Sequence, residues 1–399
     1  MNTRHLRLIL FVFLVGILST GGCENGSGVA GNNARLLPAP NIEAPLVRIL
    51  ELDTDVPTRV RVEITEGTDM WTHEYSQFDT FHLLPVLRFR AGKEHSVLVQ
   101  TIDQQGNLNS ESLLTVLADP LPQDFPVYSV SANPDMMEPG VTLFAVGSYL
   151  VAMDEVGEVV WFYRIQRLSS LDRDVRRMSN GNLLLLLPPQ NMNEIDMLGN
   201  VVRSWHAAGT SDGSEGSIPV DVLGFHHEVF EMQNGNLLTL SFELRQLENY
   251  PSSVIDPLAP LETANVVGDV IVEFDPSGEI INEWSLLDVL DPYRLGYTSL
   301  QGIYDTFFEE NLGVEPPTRD WSHGNGVIHD PRDDSFIVSL RHQDAVIKID
   351  RQTGVLKWIL GPHANWRFSA TTSFKRRPVF PVSSARTDDN GARQYIVIR

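Results

Sequence analysis

Several side chains able to do chemistry crowd the ends of apolar strands late in the chain. The stretch DWSHGNGVIHDPRDDSFIVSLRHQDAVIKID, Asp320 to Asp350, contains two strand-like runs, SFIVSL and AVIKI, fringed by His323, Asn325, His329, Arg341 and His342. Upstream, FHHEVFEMQNGNLLTLS places His226 and His227 ahead of another apolar run. Strands do not need such groups, which are neither β-branched nor apolar. A guanidinium fork and an amide offer N–H donors to an anion, and an imidazole exchanges a proton near neutral pH. We therefore expect His227, His323, Asn325 and Arg341 to form a site, with His226 as second choice for the upstream histidine.

Taken singly, these residues have plainer readings. His329 and His342 are expected to face solvent, and His363 to sit in a turn. Arg341 could simply pair with Asp344 at the surface. A metal centre built on His226 and His227 is rejected, because neighbouring residues on a strand point to opposite faces. The chain carries no Gly-rich phosphate loop, so neither a cofactor nor a metal is expected.

The elements that must position the site come from a repeat. AMDEVGEVVWF, EIDMLGNVVRSW, EFDPSGEIINEW and KIDRQTGVLKWIL each join an apolar strand, an Asp, a tight Gly turn, a second strand and a Trp. Their aspartates are Asp154, Asp196, Asp275 and Asp350. Before the later three stands a further hairpin, MSNGNLLLLL, MQNGNLLTLS or PRDDSFIVSL. Asn-Gly and Asp-x-x-Gly supply the positive φ of tight turns. Four strands at a shortest period of 42 residues predict β-propeller blades. The longer intervals, 79 and 75 residues, imply inserted loops at about 243–268 and 286–319. In a propeller the innermost strands converge on one axial pocket, which brings His227 together with His323, Asn325 and Arg341.

The rest of the chain bounds the setting. Residues 1–23 combine a basic start, the apolar run LILFVFLVGIL and small residues before Cys23, the single cysteine in the chain. That pattern is an export signal too short to span a membrane, with Cys23 at the lipoprotein cleavage and acylation position. Residues 24–40 are expected to be a flexible linker. Residues 41–120 alternate as Val60, Val62 and Ile64 do in TRVRVEITEG, predicting a fibronectin-like or Ig-like β-sandwich, with His73, His82 and His95 as surface or packing residues. A net charge of −22 argues against nucleic acid or an anionic membrane surface as partner.

DWSHGN, an Arg eighteen residues after its His, and AVIKIDRQTGVLKWILG together resemble the bacterial arylsulfate sulfotransferase family, and FHHEVFEMQNGNLLTLS resembles its preceding blade. The resemblance covers about Asn41 to Trp366. It implies an exported, all-β protein with an N-terminal sandwich and a six-bladed propeller, of which about four blades fall within 121–366. It also implies transfer of a sulfuryl group from an aryl sulfate to a phenol, without a nucleotide cofactor, through a sulfated histidine. Carried over, His323 and Asn325 match the family's His-x-Asn pair, Arg341 its arginine, and His227 its upstream histidine.

The family's nucleophilic histidine lies beyond the WILG strand, where this sequence changes character. Residues 367–399 hold seven Lys/Arg and two Asp/Glu, against 23 and 50 in the residues before them, and no Trp or His. This basic tail is read as an out-of-frame or substituted end, leaving an incomplete propeller, inactive for want of about two blades and the nucleophile. Whether two chains pair to cover an open flank stays open. The alternative function is a lipid-anchored periplasmic module that binds an anionic small molecule or an envelope protein. A quinone-dependent dehydrogenase propeller is a weaker third reading.

Overall fold

A computed structural model describes residues 33–131, 133, 136–138, 140–165, 174–296, 298–362 and 366. The export signal with Cys23, the start of the linker, His363 and the basic tail lie outside the described residues. Regular structure is overwhelmingly β, in five sheets. No helix among the described residues is long and apolar enough to cross a membrane. The chain divides into two compact units, one holding Glu51–Leu83 and Ser96–Val116 with the residues up to Arg35, the other Leu36–Leu50, Leu84–His95 and the chain from Leu117 onward.

In the first unit Val60, Val62 and Ile64 are fully buried on one face of the strand Arg48–Glu66. Val62 lies opposite Val99 and Ile64 opposite Val97, both buried, so apolar residues meet across the ladder as alternation dictates. His82 is a buried packing residue here, as His95 is in the second unit. The strands Arg35–Pro38, Arg48–Glu66, Asp69–Val86, Glu94–Asp103 and Leu108–Leu117 all belong to one five-stranded sheet. The end of the expected linker is also a strand, because RLLP pairs along the edge of that sheet.

The second unit contains four sheets of consecutive strands. The first comprises Thr142–Val146, Tyr149–Met153 and Val159–Arg164; the second, Val175–Arg177, Leu183–Leu187, Asn191–Ile195, Val201–Ala207 and Ile218–Val220. The third comprises His226–Glu231, Leu237–Pro251, Leu261–Phe274 and Ile280–Ser285, joined by Thr318–Asp320; the fourth, Gly324–Asp330, Ser335–Leu340, Ala345–Asp350 and Leu356–Leu360.

Each repeated aspartate closes its turn. Asp196 Oδ1 accepts the N–H groups of Leu198 and Asn200 while Gly199 takes φ +86°, and Asp275 does the same around Gly278 at φ +90°. The inner hairpins are tied to the adjacent strand by a buried charge. Asn180 and Asn182 both donate to Glu194, as Asn234 and Asn236 do to Glu273. In the fourth sheet the polarity reverses: Lys348 stands at the glutamate's place and reaches Asp330 at 2.7 Å and Asp333 at 2.8 Å. The turn PRDD therefore replaces NGN without loss of the tie.

Successive sheets pack face to face. The all-leucine strand Leu183–Leu187 is buried on both sides, with Leu183 and Leu185 in the core shared with Leu150 and Trp161. Leu184 and Leu186 enter the next core, with Trp205, Val270 and Phe274. Trp284, Phe336 and Ile347 share the core between the third and fourth sheets. The repeated tryptophans set the register. Trp161 Nε1 donates to Met197 O at 3.0 Å and Trp205 Nε1 to Pro276 O at 3.1 Å, each reaching the Asp-x-x-Gly turn of the following sheet.

The two insertions are not the loops the spacing suggested. Residues 243–268 mostly continue two strands, paired from Leu237↔Phe274 out to Pro251↔Leu261. Residues 286–319 form the helices Leu286–Val289 and Asp305–Leu312 before entering the strand Thr318–Asp320.

Candidate functional site

That second insertion places the site. Thr318–Asp320 pairs parallel to Asn265–Val267, and the buried Trp321 then donates its indole N–H to Arg294 O at 2.8 Å. Gln343 donates to Trp321 O at 2.7 Å, and the N–H groups of Arg341 and His342 bond to the carbonyls of His323 and Ser322. The Ser322–Gly324 corner is thereby clamped to the Arg341–Gln343 turn. Sequence separation between Asp320 and Arg341 disappears in space.

Both principal histidines occupy left-handed backbone, His227 at φ +57° and His323 at φ +47°. Such positions cost about 1–3 kcal/mol for a residue with a Cβ and cluster where function demands an unusual direction. Ladder irregularities accompany them, between His226 and Val229 and between Gly324 and Gly326. The result is a set of rings in contact. His227 meets His323 edge to face with centroids 5.2 Å apart, and His323 stacks on His342 at 4.6 Å. Tyr304, entering the helix Asp305–Leu312, lies 6.0 Å from His323 and 6.2 Å from His226.

Two buried carboxylates stand behind these rings. Asp320 Oδ2 lies 2.6 Å from His323 Nδ1. Burial, with the nearby Asp269 charge, pushes Asp320 up to about 8. Asp269 Oδ2 accepts from Ser322 Oγ and from Gly324 N, the latter at 2.7 Å, while its Oδ1 lies 3.3 Å from His226 Nε2. Burial raises Asp269 above the usual carboxylate range. In the strand His226–Glu231, next to His227, Glu228 is pushed up to about 8 by burial and by Asp174, with Arg176 hydrogen-bonded to it. Gly326 leaves room for that carboxyl, since a Cβ there would sit 3.3 Å from Glu228 Oε2.

The structure gathers His226, His227, His323 and Arg341. Arg341 Nη1 lies 3.4 Å from His323 Nε2, and among the described residues Arg341 forms no ion pair, so the surface pairing with Asp344 does not occur. Its side chain borders a cleft of about 620 Å³, shared with Ser339, Ala345 and Leu360. Asn325 is exposed at the ladder irregularity next to His323. His329 bonds Asp334 at 2.9 Å and is only partly exposed.

Two expectations fail. His342 does not face solvent: it is fully buried, its Nδ1 lies 2.5 Å from Asp320 O, and burial lowers its pKa. Nor do His226 and His227 point apart. The irregular ladder and the positive φ turn them together, with Nδ1 atoms 3.1 Å apart.

Asp320, His323 and His342 place ligand-type atoms within 4.8 Å of one another, a spacing suited to a cation. The Nδ1 atoms of both rings nevertheless already have partners on Asp320, one on its carboxylate and one on its carbonyl. His342 Nε2, buried in this cluster, has no hydrogen-bond partner among the described residues.

Sequence reasoning passed over Asp269, Asp320, Tyr304 and His342. Asp320 and His342 lie inside the stretch that drew attention, three residues before His323 and one after Arg341. Asp269 lies just past the first insertion and Tyr304 within the second, and neither carries a local signal.

Residues 126–379 match the arylsulfotransferase (ASST) family, a match that runs past Trp366. The arylsulfate sulfotransferase AssT of Escherichia coli O6:H1 is 28% identical over 255 residues, and that of Lelliottia amnigena 28% over 256, each covering 57% of this chain. The chain spans only 39% of the length of these curated relatives. Among solved structures, a protein of unknown function from Bacteroides caccae is 11% identical, with 76% of this chain and 73% of that one covered, at a TM-score of 0.28.

Proposed function

Because the chain belongs to the arylsulfotransferase family, we propose that it serves transfer of a sulfuryl group from a phenolic sulfate ester to a phenol acceptor, without a nucleotide donor. One observation carries this reading: two imidazoles and a guanidinium from different sheets meet at one point, with His227 and His323 rings 5.2 Å apart and Arg341 3.4 Å from His323.

Sulfuryl transfer, like phosphoryl transfer, spreads negative charge over three equatorial oxygens. The exposed Arg341 fork and the Asn325 amide would hold those oxygens, and fixed donors stabilise such charge best where water is thin. His227 and His323 would exchange the proton that the acceptor phenol loses and the departing phenolate gains. A two-step route through a sulfo-histidine, which splits one difficult displacement into two, belongs to the same proposal. Its nucleophile is not one of these four residues. The four sheets are read as propeller blades around this site, and export through residues 1–23 with acylation at Cys23 completes the picture.

The test is release of phenolate from a chromogenic aryl sulfate by the full chain, with and without a phenol acceptor. For want of that nucleophile the unmutated chain is expected to bind the aryl sulfate saturably without turnover, binding that weakens about 10-fold in Arg341→Ala as a charge-assisted hydrogen bond is lost. Acceptor-dependent release that is lost in both His323→Ala and Arg341→Ala would show transfer by this chain and overturn its inactivity, and failure to bind the aryl sulfate would sink this reading of the site.

A further inference from the structure

We propose that His226 is a positioning residue acting through His227, so that Asp269, His226 and His227 form a proton relay. The relay sets which nitrogen of His227 carries hydrogen and stores the proton that His227 removes from the acceptor phenol. Only the identity of the phenol rests on the transfer reading above; the relay stands on its own geometry.

The two acceptors at His226 Nε2 give the direction. His226 Nε2 lies 3.0 Å from Ser241 O and 3.3 Å from Asp269 Oδ1. Both are acceptors, so Nε2 carries the hydrogen. In the neutral ring Nδ1 is then a lone pair. That lone pair faces His227 Nδ1 at 3.1 Å, which must therefore carry a hydrogen, leaving the lone pair of His227 on Nε2. Asp269 is held for this task, because Ser322 Oγ and Gly324 N occupy its other oxygen. His226 is fixed as well, stacked at 10° on Phe242 with centroids 5.4 Å apart.

The backbone is bent to make the contact. Adjacent strand residues ordinarily diverge, and only the left-handed φ of His227 with the irregular ladder brings the two Nδ1 atoms together. A purely packing pair of histidines would not require that distortion.

In the reaction the phenol O–H bond breaks, its electron pair stays on oxygen, and the proton joins His227 Nε2. The hydrogen on His227 Nδ1 passes to His226 Nδ1, leaving His227 neutral and His226 an imidazolium facing Asp269. The reverse sequence protonates a departing phenolate. Among the described residues, Tyr304 and His323 face this pair beside Asp269, with Asp320 and Arg341 against His323 and Glu228 next to His227 along the strand.

The test is imidazole nitrogen NMR on the full chain, labelled at histidine, from pH 5 to 9. We expect His227 as the Nδ1–H tautomer at neutral pH, titrating together with His226. His226→Phe keeps a ring on Phe242 and should move most of His227 to the Nε2–H form. His226→Asn, whose side-chain oxygen can still accept from His227 Nδ1, should restore the tautomer without a second titration. An Nε2–H tautomer in the unmutated chain, or a His227 spectrum unchanged by His226→Phe, overturns the relay. If His226→Phe does not fold, the unmutated chain and His226→Asn still decide it. Aryl sulfate binding does not enter this readout, so failed binding beside the expected spectra removes the proposed function alone.

Discussion

At the scale of single residues, the site depends on carboxylates kept out of water. Asp320, nearly inaccessible and pushed up to about 8, favours its protonated form in the folded chain. Its ordinary value is near 3.9, so its stabilising contribution is complete below about pH 4 and lost as pH rises through 8. The slope cannot exceed about 1.4 kcal/mol per pH unit for one proton. Urea midpoints measured from pH 5 to 8 should therefore fall more steeply for the unmutated chain than for Asp320→Asn. Parallel curves would show that the carboxyl titrates as if exposed. The types of the site residues were plain in DWSHGN and SLRHQ, and His323 and Arg341 do meet. What misled was direction: strand alternation placed His226 away from His227 and left His342 in solvent, and both inferences fail where the ladder is irregular or the chain turns.

At the scale of elements, the hairpin turns carry the most local information. Gly278 shows why the turn residue matters twice. Its φ is +90°, and a Cβ there would lie 2.3 Å from Pro219 O, a backbone atom of the preceding sheet. Gly235, at φ +85°, has nothing within 4 Å. Gly235→Ala should cost about 1–2 kcal/mol from backbone strain alone, whereas Gly278→Ala should cost more, since the neighbouring sheet must also move. Equal losses in urea unfolding would mean the turn relaxes freely. The insertions, by contrast, were illegible as elements. Their sequences carry no turn code, and their strands form because Leu237–Pro251 and Leu261–Phe274 find each other, while Thr318–Asp320 forms only against Asn265–Val267.

For the second unit taken whole, stability is expected to build sheet by sheet. Trp161 and Trp205 each tie one sheet to the turn of the next, at different interfaces and in different cores. Replacing either by Phe keeps most of the ring and removes one indole hydrogen bond, a loss of about 1 kcal/mol. The double variant should lose the sum to within about 0.5 kcal/mol, as expected of distant sites in a nearest-neighbour array. A clear departure from additivity would show that the sheets are coupled beyond their neighbours.

The local code decided much of this protein. Asp-x-x-Gly and Asn-Gly specify hairpins wherever they occur, because positive φ is a property of the turn and needs no distant partner. Alternation put Val60, Val62 and Ile64 inside. Tertiary structure alone decided where the chemistry points. Asp269 and Asp320 become site carboxylates only when the parallel strand Thr318–Asp320 docks beside Asn265–Val267. His226 and His227 converge only because the fold holds His227 in a conformation that a free strand would not choose. Side-chain direction at such a point depends on long-range contacts, and no window of local sequence contains them.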